Sequence, residues 1–179
     1  MSQAARRPIY VPESAHVART LLSELRGAHR NLIAQMQALD ALSGVAVPDL
    51  TLLTTARWKL GQASLARRLL AARICEYFSA RCEGPQASAL GNLQLADREM
   101  LNHSAAHLAR WTAESIGRDW EGYCRAGNEI RRRTYDHIAL EQRVLYPLLE
   151  RSAGHGAMTG NGASDGARTR DLRRDRPAL

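Results

Sequence analysis

The sequence predicts an all-α protein, an antiparallel up-and-down four-helix bundle followed by a disordered C-terminal tail. Three observations carry that expectation. Ala, Leu, Arg, Glu and Gln dominate the composition, and all of them favour helix. β-branched residues are sparse, and the one Asp-Gly pair, at 165–166, does not separate alternating apolar runs. Apolar residues recur at spacings of three and four in four long segments, and such stripes bury themselves most simply against one another.

The first segment runs from about Ser14 to Ser43, with Pro12 ahead of it, Ser14 as its cap, and Gly44 and Pro48 beyond its end. Its stripe is Leu22, Leu25, His29, Leu32, Met36 and Leu39. The second runs from about Asp49 to Cys82 and stops before Gly84-Pro85. Leu60, Ala63, Leu70, Ile74, Tyr77 and Phe78 form its stripe, and Arg67 is the one charged residue within it. The third begins near Ser88 or Asn92 and places Met100, His103, His107 and Trp111 in one row. The fourth ends around Arg151 and carries Ile130, Thr134, His137, Glu141, Val144 and Leu148. Between the last two, Gly117, Gly122 and Gly127 are competing breaks. A turn at Gly122 levels His107 with His137, whereas one at Gly117 separates them by about 15 Å in height.

At 179 residues the chain has the length of one domain, divided here into an N-terminal arm at 1–13, the bundle at 14–151 and the tail at 152–179. The apolar fraction of 45% suffices for one core. Lys+Arg number 25 against 18 Asp+Glu, for a net charge of +7, and all but Lys59 of those bases are Arg. Without residues 153–179 the balance is 20 bases to 15 acids, or +5, which keeps a protein in solution without making a nucleic-acid face. Arg131-Arg132-Arg133 reads as a solvated run, with Glu129 pairing to Arg133.

No stretch approaches the ~20 apolar residues of a membrane span. The start, with two Arg and no apolar run after them, does not read as a secretory signal. Cys75, Cys82 and Cys124 form no Cys-x-x-Cys, and a reducing, cytoplasmic setting is expected. The tail is Gly-rich and lacks aromatics. Residues 165–179 resemble the conceptual translation of a transfer-RNA gene read on its opposite strand, so 160–179 are assigned no role; the competing reading is an Arg-rich arm for nucleic acid.

Chemistry is expected where histidines meet the apolar stripes. His103-Ser-Ala-Ala-His107 and His137-Ile-Ala-Leu-Glu141 each have the spacing of four that stacks side chains on one helix face. Imidazole and carboxylate suit Fe, Zn or Mn. Glu141 lies beside the buried face and needs a metal, a proton or an Arg, with Arg67 as the candidate partner. The candidate metal ligands are His29, His103, His107, His137 and Glu141; each has the alternative of being a core or surface residue with no ligand role. No phosphate-binding Gly loop, His-Glu-x-x-His or Gly-x-Ser-x-Gly occurs, and no enzymatic activity is expected.

The run His137-Ile-Ala-Leu-Glu141-Gln-Arg-Val-Leu-Tyr-Pro147 resembles the His-x-x-x-Glu…Leu-Tyr-Pro segment of hemerythrin-like (HHE cation-binding) domains, and His29 and His103-x-x-x-His107 follow that family's order. Arg110-Trp111…Ile116…Asp119-Trp120…Tyr123 is similar to a bacterial branch of uncertain function. The resemblance spans roughly 14–151 and implies a four-helix bundle with a carboxylate-bridged di-iron centre that meets O2 or nitric oxide. The second helix departs from the pattern: metal-competent members carry His-x-x-x-Glu there, and residues 67–78 contain no His. Two readings follow. One is a binding or sensing module with an incomplete, mononuclear site, iron being the metal by resemblance. The other is a metal-free degenerate bundle with a structural or protein-interaction role.

Overall fold

A computed structural model describes residues 12–154, which are almost wholly helical: α1 Pro12–Ala41, a short 3-10 turn Leu42–Gly44, α2 Leu50–Ser79, α3 Pro85–Arg110, α4 Ala113–Arg118 and α5 Trp120–Gly154. The four long segments form, and α4 is an addition to them. Residues 152–154, expected to belong to the tail, are instead helical, because α5 continues through Gly154. The remainder of that tail, the 165–179 run and most of the N-terminal arm lie outside the described residues.

Local chemistry accounts for the ends. Asp49 caps α2 through its carboxylate, which accepts from the Thr51 and Leu52 backbone N–H groups at 2.9 and 3.0 Å. Asp49→Ala should therefore cost about 1 kcal/mol, or a fall of about 2–4 °C in thermal midpoint by differential scanning calorimetry. α3 starts earlier than Ser88 because Gly84 takes a left-handed φ of 59° and Pro85 follows with a φ already suited to the first helical turn.

The break between the last two long helices falls at neither Gly122 nor Gly127. α3 stops at Arg110, α4 covers Gly117, and Asp119 caps α5 by accepting from the Gly122 N–H at 2.8 Å. A Cβ at Gly122 would stand 2.1 Å from Asp119 Oδ2, so a side chain there would displace the cap.

Three apolar clusters and one polar layer are stacked along the long helices. Leu22 and Leu25 of α1, Ile74 and Phe78 of α2, Leu90 and Leu93 of α3, and Leu145 and Leu149 of α5 build the largest cluster. Leu32, Met36, Ala63 and Ile138 form the middle one, to which α3 contributes no buried residue. Leu39, Leu53, Trp111, Ile116 and Tyr123 close the far end. Between the first two clusters lie His29, Arg67, Asp97, His137 and Glu141, one or two from each long helix. Going along α1 and α3 the largest cluster comes first; along α2 and α5 it comes last.

Where α3 withholds a residue from the middle cluster there is a cavity of about 350 Å3. Gly61 and Ser64 of α2 and Ser104 and Ala105 of α3 line it. Side chains that small cannot fill the space between two helices, and the void is their direct consequence. No helix among the described residues is long and apolar enough to cross a membrane.

Candidate metal centre and its buried arginine

Glu141 anchors the polar layer. It is 1% exposed on α5, and both carboxylate oxygens are engaged. Oε2 accepts from His29 Nε2 at 2.7 Å, and Oε1 accepts from Arg67 Nη1 at 2.5 Å. His29 Nδ1 in turn meets the Tyr146 hydroxyl at 2.9 Å, which fixes the ring. The second nitrogen of the guanidinium, Arg67 Nη2, donates to Asp97 Oδ1 at 3.3 Å. One buried guanidinium thus touches two carboxylates from two different helices.

His137 completes the layer without joining its hydrogen bonds. Its Nε2 stands 3.3 Å from Asp97 Oδ1 and 3.6 Å from Glu141 Oε1. The first approach lacks hydrogen-bond alignment and the second is too long, so this buried nitrogen has no hydrogen-bond partner among the described residues; neither has Arg67 Nε. Asp97, His137 and Glu141 offer ligand atoms all within 4.8 Å of one another and could hold a metal ion. Nothing in the layer indicates which metal.

The charges are mutually set. Burial pushes the Glu141 carboxyl up, but His137, His29 and Arg67 overcome that and hold it at about 2. Burial likewise opposes ionisation of Asp97, and His137 with Arg67 brings it below the usual carboxylate range. His137 is disfavoured as a cation by burial, yet its contacts with Asp97 and Glu141 raise it above an ordinary imidazole. With His137 protonated, two acids face two cations. Nearby Cys75 is pushed up to about 11 by burial and by the Glu141 and Asp97 charges, which keeps it a neutral thiol and a poor metal ligand.

Of the five residues expected as ligands, the fold brings three together: His29, His137 and Glu141. His103 is exposed, where its Nε2 accepts from Arg133 at 3.3 Å. His107 lies tilted against Tyr123 with ring centroids 5.9 Å apart, and along α3 it stands ten residues, about 15 Å of helix, beyond Asp97, the residue that meets His137. The shared height offered by a Gly122 turn is therefore not realised. Glu76, the one carboxylate in the second-helix stretch 67–78, is exposed.

Asp97 went unread. The third-helix row is Leu90, Leu93, Asp97, Met100, Ser104, His107, Trp111, and extending the spacing backwards from Met100 by three leads straight to it. The Arg run also needs correction. Arg132 and Arg133 are solvated and pair with Glu129 at 2.9 and 2.8 Å, but Arg131 is buried and pairs with Asp40 at 2.6 Å.

Comparison with family models, with curated proteins and with solved structures returned no match.

Proposed function

We propose that the protein is a non-catalytic small-molecule-binding module, an up-and-down four-helix bundle of hemerythrin-like type in which Arg67 has taken the place of a metal. The opposite order of the core clusters along successive long helices supports the bundle. The single observation that carries the rest is the Arg67 guanidinium lying between Glu141 and Asp97. A fixed positive charge at the carboxylate oxygens repels a divalent ion and already supplies the neutralisation those acids require. With the carboxylate charges of the polar layer already neutralised, the binding capacity resides in the cavity beside it, in the size range of small-molecule sites.

A second reading keeps a mononuclear metal on Asp97, His137 and Glu141, and the unbonded His137 Nε2 favours it. Zn2+, Fe2+ or Mn2+ would there supply Lewis acidity, while His29 would orient Glu141 through its other oxygen.

Metal analysis separates the two. Protein purified from metal-replete medium should contain Fe, Zn and Mn well below one ion per chain, and a chelator should leave its thermal midpoint unchanged. One ion per chain, lost in His137→Ala together with a chelator-sensitive midpoint, would establish the metal site and overturn the proposal.

A further inference from the structure

Six basic or imidazole side chains line the cavity, namely Arg57, Arg67, Arg68, Arg131, His107 and His137, and no acid does. The rest of its wall is largely apolar. These cations are not equivalent. Arg67 and His137 are answered by Asp97 and Glu141 behind them, and Arg131 by Asp40. Arg57 is half-buried and has no carboxylate partner among the described residues; its guanidinium lies 5.7 Å over the Tyr123 ring. His107 shares that end of the cavity, and its pKa is lowered first by burial and then by the positive charges of Arg57 and Arg131. The end near Tyr123 is thus a pocket of uncompensated positive potential.

At the opposite end, ten residues or about 15 Å further along α2, Arg67 and His137 are answered by their acids, while half-buried Arg68 lines the wall beside them with no carboxylate partner among the described residues. There the unpartnered Arg67 Nε belongs to a residue of the cavity wall. Leu32, Met36 and Met100 line the wall as well, and the mouth is rimmed by Leu65, Leu101 and Leu108, each at least 40% exposed.

We propose that this cavity binds an amphiphile with one anionic head and an apolar body, the head at Arg57 and His107 and the body along Met36 and Met100. The inference rests on the binding-module reading and names its ligand class. A carboxylate head gains a charge-assisted bond from Arg57 while displacing no existing ion pair. The body covers leucines that otherwise face water, which is the driving force for an apolar chain.

The test uses decanoate, decan-1-ol and decyltrimethylammonium on the full-length chain, read by isothermal titration calorimetry. Decanoate should bind one per chain, about tenfold or more tighter than decanol, and the ammonium should not bind. Arg57→Gln, which breaks no ion pair, should reduce decanoate to the affinity of decanol and leave decanol unchanged. Ser104→Leu, whose hydroxyl bonds only the Met100 carbonyl of its own helix, should block both; an unchanged thermal midpoint in each variant shows that the fold persists. Equal affinity for decanoate and decanol, or no effect of Arg57→Gln, overturns the ligand class and leaves the binding module standing. No binding of either, or binding unaffected by Ser104→Leu, removes both. Decanoate binding in a protein that also retains stoichiometric metal overturns only the metal-free reading.

Discussion

Arg67→Met should destabilise the protein by about 3–5 kcal/mol, the usual consequence of leaving a buried charge without its partner. The side chain is 4% exposed, and its loss strips Glu141 of one of its two strong partners and Asp97 of the guanidinium that meets it. At this size the corresponding fall in thermal midpoint is about 10–15 °C. The double variant Arg67→Met with Glu141→Leu should recover most of that loss, because an apolar replacement of a whole buried ion pair is often neutral or stabilising. Urea denaturation of the two singles and the double closes the cycle. Singles that simply add, or an Arg67→Met protein as stable as the parent, would mean that the guanidinium does not neutralise Glu141.

Acid should unfold the protein through the same layer. The Glu141 carboxyl is lowered from 4.5 to about 2, so its stabilisation is complete above the unfolded value and disappears as pH falls through the folded one. Across that window the loss is about 3 kcal/mol, and Asp97, shifted the same way, adds to it. His137 works in the other direction. Its pKa is raised above 6.5, so its contribution is full below that pH and is lost as pH rises through the folded value. Stability should therefore peak at mildly acidic pH and fall on both sides, most steeply on the acid side. Glu141→Gln should be less stable at neutral pH and should flatten the acid limb. Denaturation midpoints measured from about pH 2.5 to 8 test this; an acid limb as steep in Glu141→Gln as in the parent would place the acid sensitivity elsewhere.

The first helix was legible almost entirely. Leu22, Leu25, His29, Leu32, Met36 and Leu39 are all buried, because an uninterrupted amphipathic helix of that length has one face to bury and no choice of which. The third helix was not. Its row Met100, His103, His107, Trp111 mixes two faces, and His103 stays exposed, since a helix with few large apolar residues defines its inward direction only weakly. Asp97 was lost with that misreading, and with it one of the three residues that could hold a metal ion. The Arg run illustrates the same limit: Arg131 is buried because Asp40 stands 2.6 Å from it on another helix, a pairing that no spacing along α5 records.

Local sequence determined the helical class, the main segments, the cap at Asp49 and the placement of His29, His137 and Glu141 on buried faces, because propensity, capping and 3.6-residue periodicity all act within a few neighbouring residues. Arg67 was legible as a candidate partner for Glu141, and the two do meet, but that the same guanidinium also reaches Asp97 and that His29 takes the other Glu141 oxygen was decided only when the helices packed. Arg67 and Asp97 come from helices remote in sequence, and the heights at which they meet Glu141 depend on where α3 stops and α5 begins, around Asp119. A shift of a few residues in that turn moves side chains several ångströms along the helix axis, enough to separate an ion pair from a pair of strangers.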